Sequence, residues 1–159
     1  MGSKTIYRAA IPSPLGDLTC AATDSAVILL LYTPDAVLSS PHVVDGFNPV
    51  LTRLREQLHE YFAGMRRQFD LPVELSGTPH RLKVWYALRG IPYGEIVSYQ
   101  HIAKTVGSAP IAVGQANGKN RVNILIPCHR VVGADGSLTG YGGGLERKRF
   151  LLDLEARNR

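Results

Sequence analysis

The sequence predicts an α+β protein with a small N-terminal antiparallel-sheet lobe and a C-terminal helical, winged helix-turn-helix-like lobe. Short apolar segments separated by turn residues fill the first thirty positions, which is typical of antiparallel strands. Capped segments with helical apolar stripes follow them. The charge is divided as well, because residues 1–76 hold 6 Lys/Arg and 8 Asp/Glu, whereas residues 77–159 hold 12 and 5. We therefore expect two lobes, 1–76 and 77–159.

The N-terminal lobe is expected to contain three strands and one helix. The helix begins at Pro49, carries one apolar stripe, and ends at Phe62 before Gly64, which suits a helix C-terminus. Weak alternation over 69–75 is compatible with a further strand. The remaining predicted elements are strands over 5–11, 17–23 and 26–32 and a surface loop over 34–48.

The C-terminal lobe begins with Thr78-Pro79, a capping residue followed by proline at the first helical position. A helix over 99–106, capped by Ser98 and ended by Gly107, precedes another over 110–117. Two short helices joined by a glycine turn have helix-turn-helix architecture. In the more basic half of the chain, this predicts an element that docks on DNA. A closing helix is expected over 145–155.

The composition constrains the size of the core and the cellular compartment that we expect for the protein. The 159 residues suffice for one buried core or two small lobes, and no apolar run reaches the length of a membrane span. The two cysteines and the polar N-terminal run predict a cytoplasmic protein with reduced thiols. Cys20 lies within a predicted strand and is interpreted as a core residue.

Cys128 lies between Pro127 and His129, with apolar residues on both sides of the turn. A thiol reacts as the thiolate, so an adjacent imidazole favours an activated nucleophile. The alternative from the residues alone is a buried cysteine that acts as a small apolar side chain.

The surrounding motifs resemble the O6-alkylguanine-DNA alkyltransferase family, also called the methylated-DNA–protein-cysteine methyltransferases. The resemblance covers most of the chain from Gly77 onward and, more weakly, the PSPLG run at 12–16. Its central motif is IPCHRVV at 126–132. The other matching runs are GTP at 77–79, VW at 84–85, IPYGE at 91–95, SY at 98–99, ANGKN at 116–120, GYGGGL at 140–145 and KRFLLDLE at 148–155.

The resemblance implies a suicidal repair reaction in which Cys128 accepts the alkyl group of a flipped-out O6-alkylguanine. His129 would take the thiol proton through water, and Glu155 would orient the histidine, in a relay like that of a catalytic triad. Tyr99 would help the departing guanine take up a proton, and Asn120 would brace the turn. The implied partner is double-stranded DNA with O6-alkylguanine, or O4-alkylthymine as a further lesion. A monomer without metal, cofactor or membrane contact is expected.

The resemblance also implies two groups of binding residues. The pocket for the flipped base would be formed by Tyr141, Val131, Gly142, Gly143 and Pro127. The DNA surface would be formed by Ile111, Ala112, Gly114, Gln115, Asn117, Lys104, Lys119, Arg121 and Arg130.

Ile111 departs from the family pattern, since an arginine that fills the space of the flipped base usually stands there. Either Ile111 is an apolar wedge, as minor-groove proteins use, or duplex binding is weakened. The second case suits a self-alkylating variant or homologue that acts on free O6-alkylguanine-like molecules. A non-catalytic winged-helix-like DNA-binding module is a third hypothesis, which the relay residues disfavour.

Overall fold

The computed structural model describes residues 5–34, 42–138 and 141–159. The chain divides into two compact units, Met1–Leu75 and Ser76–Arg159. The predicted loop residues 35–41 and Gly140 of the glycine-rich motif lie outside the described residues.

The first unit is a four-stranded sheet with one helix. Its strands are β1 (Ile6–Ile11), β2 (Leu18–Ala22), β3 (Val27–Leu31) and β4 (Val43–Asp45), arranged β3-β2-β1-β4. The pairs β1–β2 and β2–β3 are antiparallel, as expected from the turns that join them. The strand β4 runs parallel to β1, so the sheet is mixed. The prediction of a loop throughout 34–48 is therefore wrong for 43–45.

The helix α1 (Pro49–Phe62) has the predicted bounds and packs on β1 and β2. The Asn48 side chain accepts from the Leu51 amide at 2.9 Å and caps the first turn. The predicted further strand over 69–75 is reduced to one bridge, between Val73 and Val27.

The second unit contains the helices α2 (Pro79–Arg89), α3 (Tyr99–Val106), α4 (Pro110–Gly118) and α5 (Leu145–Arg157). Two short strands, β5 (Val97–Ser98) and β6 (Val131–Val132), pair in parallel. A one-turn 3-10 helix, Cys128–Arg130, immediately precedes β6. The α+β fold class with a helical second lobe is confirmed.

The α3–α4 pair forms as local signals predict. The Ser98 hydroxyl accepts from the His101 amide at 3.0 Å, and Gly107 ends α3 with a left-handed φ of 68°. Trp85 of α2 is buried and donates its indole N–H to the Ala116 carbonyl of α4 at 2.8 Å. This bond ties the second helix of the pair to the core of the unit.

Candidate active site

The chain reaches Cys128 through a strained turn. Ile124 has a φ of 72°, the one described non-glycine residue with a positive φ. The Leu125 amide donates to the Asn123 carbonyl at 2.8 Å, so Ile124 is the centre of a γ-turn. A left-handed conformation is costly for a β-branched residue, and such strain is tolerated where surrounding contacts enforce it. Ile124 is 2% exposed, so core packing supplies those contacts.

A second tight turn presents the cysteine itself. Pro127 has φ −80° and ψ 62°, and the Cys128 amide donates to the Ile126 carbonyl at 2.8 Å. These values describe an inverse γ-turn. Proline suits this place because its ring already restricts φ to this region. The 3-10 turn that follows holds Cys128, His129 and Arg130, all of them buried.

Asn120 braces this turn and contacts the sulfur. Its Nδ2 donates to the Ile126 carbonyl at 2.9 Å and to Cys128 Sγ at 3.2 Å. Its Oδ1 accepts from the Val122 amide at 2.9 Å. On the other side, Cys128 Sγ donates to Asn123 Oδ1 at 3.5 Å. One amide therefore stabilises the thiolate while the other accepts from the thiol.

The resting sulfur is a thiol at neutral pH. Burial raises the pKa of Cys128 to about 11, although hydrogen bonds from Asn120 and Tyr141 and the charge of Lys148 act to lower it. Cys128 is 2% exposed. A nucleophilic sulfur at this place therefore requires a base that removes the proton during the reaction.

Lys148 is a site residue that the sequence analysis missed. Its side chain is fully buried, and Nζ donates to the Val131 carbonyl at 2.6 Å and lies 5.8 Å from the centre of the Tyr99 ring. Burial lowers the pKa of this lysine. The available signal was its position on α5, three and six residues before the buried Leu151 and Leu154. A lysine on the apolar stripe of a helix faces the core.

His129 and Glu155 form a buried pair. His129 Nε2 lies 2.6 Å from Glu155 Oε2, and the side chains are 0% and 1% exposed. Burial lowers the pKa of His129. Burial alone would raise the pKa of Glu155, but hydrogen bonds and charges from His129 and Arg130 outweigh it and hold that pKa well below its usual range. Nδ1 of His129 is buried without a hydrogen-bond partner in the described structure. The pair therefore makes no direct hydrogen bond to Cys128.

Arg130 and Asn117, which were expected among the DNA contacts, are both buried in the second unit and bonded to other residues of it. The Arg130 guanidinium is buried and donates to both carboxylate oxygens of Glu155 and to the Ile91 carbonyl. Asn117 is 4% exposed and donates Nδ2 to the Cys128 carbonyl at 3.2 Å. Sequence position near the turn could not reveal which polar side chains face inward.

The other predicted DNA contacts lie at the surface of the second unit. Ile111, at the start of α4, is 79% exposed. Gln115, Lys104, Lys119 and Arg121 are exposed, and Ala112 and Gly114 are partly exposed. An open groove of about 580 Å³ is lined by Tyr99, Gln100, Pro110, Ile111, Gly114, Gln115 and Ala134. The structure thus brings the predicted tyrosine of the site to the same groove as the exposed face of α4.

The predicted pocket residues differ in burial and in their contacts. Tyr141, Val131 and Pro127 are buried, and the hydrogen bond between Tyr141 and Cys128 brings that ring to the thiol. Gly142 is exposed, and a Cβ placed on it would meet no atom within 4 Å. The Gly143 carbonyl accepts from Arg147 Nη1 at 3.1 Å.

The described residues contain no group of three or more His, Cys, Asp or Glu side chains placed to hold a metal ion. None of the described helices is long and apolar enough to cross a membrane.

Family profiles match both units. Residues 79–157 match the DNA binding domain of 6-O-methylguanine DNA methyltransferase, and residues 6–75 match its ribonuclease-like domain. The chain is therefore similar to this family across nearly all of its length.

Individual relatives agree with the profiles. The methylated-DNA–protein-cysteine methyltransferase of Mycobacterium tuberculosis H37Rv is 45% identical, over 94% of this chain and 92% of that protein. The enzyme of that name from Methanosarcina acetivorans is 52% identical, over 94% and 98%. A crystal structure of Mycobacterium tuberculosis OGT in complex with DNA superposes with a TM-score of 0.88 at 43% identity, covering 96% of this chain and 94% of that one.

Proposed function

Because this chain belongs to the 6-O-methylguanine DNA methyltransferase family, we propose that it repairs DNA by transferring the alkyl group of O6-alkylguanine to its own Cys128. The single observation that carries the proposal is the thiol of Cys128, buried on a braced turn beside the His129–Glu155 pair. The similarity to a relative crystallised with DNA supports duplex DNA as the partner. We also propose O4-alkylthymine as a further lesion and a monomer that works in the cytoplasm.

The reaction begins with removal of the thiol proton. The pKa of Cys128 lies near 11, so the base must act during the reaction. Nδ1 of His129 is the nitrogen that remains open to receive the proton, since Nε2 faces Glu155. No direct bond joins the ring to the described sulfur, so an intervening water carries the proton between them.

The thiolate then displaces guanine from the alkyl carbon. A sulfur lone pair forms the S–C bond, the C–O6 bond breaks, and its electron pair stays on the guanine, which takes up one proton. We assign help with that proton to Tyr99, which lines the groove beside α4. The product is a thioether, which water and thiols do not reverse, so each chain repairs one lesion. Because an alkyl carbon inside a duplex is out of reach, the base must leave the stack.

The test is intact-mass analysis after incubation with a duplex that contains one O6-methylguanine. One methyl group per chain, located by peptide mapping on Cys128, is the expected result. An unmodified duplex is the control. Methylation of Cys20, or more than one repaired lesion per chain, would contradict the proposal.

The second candidate is a self-alkylating protein that acts on free O6-alkylguanine-like molecules and binds duplex DNA weakly. The observation that favours it is Ile111, which is 79% exposed on a helix without Lys or Arg. Phosphate contacts from basic residues supply much of the affinity for DNA. A rate for free O6-benzylguanine above the rate for methylated duplex would favour this candidate.

A further inference from the structure

Arg130 makes a buried three-way contact that the reaction described above does not use. Its Nε donates to Glu155 Oε1 at 2.8 Å, and its Nη2 donates to Glu155 Oε2 at 3.1 Å. The third donor, Nη1, reaches the Ile91 carbonyl at 2.7 Å. A guanidinium that donates to both oxygens of a carboxylate forms the strongest class of side-chain ion pair. A buried pair of this kind influences the protonation state of the groups in contact with it.

The contacts with Arg130 determine the protonation state of Glu155. Glu155 accepts two bonds from Arg130 and one from the Gly94 amide at 3.2 Å, besides facing His129. The backbone N–H and the guanidinium donate hydrogen bonds to its oxygens, which favours the ionised carboxylate. Glu155 is therefore an anion at neutral pH, and the positive charge of Arg130 balances it.

The ionised carboxylate in turn determines which ring nitrogen of His129 carries the hydrogen. An ionised carboxylate can only accept, so His129 Nε2 must carry the hydrogen in the 2.6 Å contact. In a neutral imidazole the other nitrogen then holds the lone pair. That nitrogen, Nδ1, is the buried ring atom that has no hydrogen-bond partner in the described structure.

We propose that Arg130 is a positioning residue of the alkyl transfer. By neutralising and orienting Glu155, it keeps His129 neutral with its hydrogen on Nε2, so that Nδ1 is free to accept the proton of Cys128. Without Arg130, the buried anion would draw a second proton onto His129, and the imidazolium could no longer act as a base. The inference rests on the proposed function for its rate measurement only.

Other charged and titratable groups face the same cluster. Cys128 lies on the same 3-10 turn, and the charge of Lys148 on α5 also lowers the pKa of His129. The Tyr93 ring lies 5.8 Å from the Arg130 guanidinium. These groups are still present when Arg130 is replaced. A change in the proton affinity of His129 can therefore be assigned to the loss of the guanidinium.

The first measurement is made on the protein with Arg130 intact. Nitrogen-15 NMR of histidine in the free protein distinguishes the two neutral tautomers from the imidazolium, and the signals of His129 are assigned from their loss in His129→Gln. We expect a neutral ring with hydrogen on Nε2 at pH 7. An imidazolium at pH 7, or a neutral ring with hydrogen on Nδ1, would overturn the inference.

The second measurement compares Arg130→Met with Arg149→Met, which removes the same charge from an exposed position on α5. Losing an opposite charge that balances a buried carboxylate should raise the proton-binding constant of His129 at least about tenfold. The pH at which the transfer rate falls on the acid side of its pH profile should rise correspondingly. Arg149→Met should leave the titration of His129 unchanged. An unchanged titration in a folded Arg130→Met protein would overturn the inference.

The third measurement separates charge from packing. The double variant Arg130→Met, Glu155→Gln removes both charges, so His129 should again be neutral at pH 7. Persistence of the Arg130→Met shift in the double variant would show that it does not pass through Glu155, which would overturn the inference. All titrations use protein without DNA, so a chain that fails to repair DNA would refute the proposed function and leave these readings intact.

Discussion

The two cysteines of this protein are both buried, yet their surroundings differ in kind. Cys20 is 0% exposed on β2 and donates Sγ to the Ala9 carbonyl at 3.2 Å. Burial raises its pKa to about 12. Cys128 is 2% exposed, and burial raises its pKa to about 11. Burial and a raised pKa therefore do not distinguish a structural cysteine from a reactive one.

The neighbours make the distinction. Cys20 donates to a backbone acceptor, which favours the thiol. Asn120 and Lys148 instead provide Cys128 with a hydrogen-bond donor and a positive charge, which favour the thiolate.

The buried polar residues of the two units differ in the same way. The buried polar side chains described in the first unit are the uncharged Thr23, Asn48 and Gln57, while those of the second include His129, Arg130, Lys148 and Glu155. Buried charge is costly, so its concentration around one cysteine indicates chemistry there.

The largest expected effect separates the two thiols directly. Cys128→Ala should abolish alkyl transfer, because no other described sulfur has such a setting, while Cys20→Ala should retain it. Transfer is measured by intact mass after a single turnover on methylated duplex. Duplex binding by Cys128→Ala, followed by gel shift, should be largely preserved. Equal loss of transfer in both variants would show that the two cysteines do not differ in function as their surroundings indicate.

The relay beside Cys128 has no counterpart at Cys20. Replacing His129 with Phe, or Glu155 with Gln, should slow transfer by about 10²–10⁴-fold, which is typical for a lost general base. Single-turnover rates measure this. Because Glu155→Gln keeps the shape of the side chain, a near-native rate in that variant would show that the carboxylate is structural only.

The positive charge near Cys128 should have a smaller effect. Lys148→Met removes a cation that lowers the pKa of the thiol, so reaction with iodoacetamide at neutral pH should slow by about tenfold. The exposed Lys83→Met on α2 is the matched control. Unfolding curves of both variants report whether each is folded. A reactivity of Lys148→Met equal to that of the control would remove Lys148 from the contrast between the cysteines.

The exposed face of α4 should influence only the DNA reaction. Ile111→Arg adds one charge-assisted contact, so we expect about 1–2 kcal/mol tighter duplex binding and a correspondingly faster duplex rate. The rate with free O6-benzylguanine, which needs no groove contact, should barely change. A duplex rate that is unchanged or lower would show that Ile111 is itself a competent wedge.

The smallest effect concerns stability at alkaline pH. A thiol whose pKa is raised on folding from 9.0 to about 12 stabilises the protein at neutral pH, and this contribution is lost as pH rises from about 9 towards 12. Removing one such thiol should reduce the fall in unfolding free energy by at most about 1.4 kcal/mol per pH unit. Urea unfolding of Cys20→Ala between pH 8 and 11 measures this slope. A slope as steep as that of the unaltered protein would contradict the raised pKa.

The elements that could be predicted from the sequence are those whose causes are local. The bounds of α1 and α3 follow from Asn48, Ser98 and Gly107, each of which acts on backbone groups within one turn. The resemblance carried by residues 126–132 pointed to the right family for the same reason, since a contiguous motif is readable without the fold.

Which polar side chains face inward depends on how the distant elements of the fold pack together. Arg130, expected to contact DNA, is bound to Glu155 of α5. Lys148 lies near Cys128, although no neighbouring residue in the sequence indicated this position. The strand β4 forms because β1, far away in sequence, offers it an open edge. Such partners lie tens of residues apart, and a buried ionic contact is stable only when every partner arrives together. Residue type and spacing along the chain cannot express that condition.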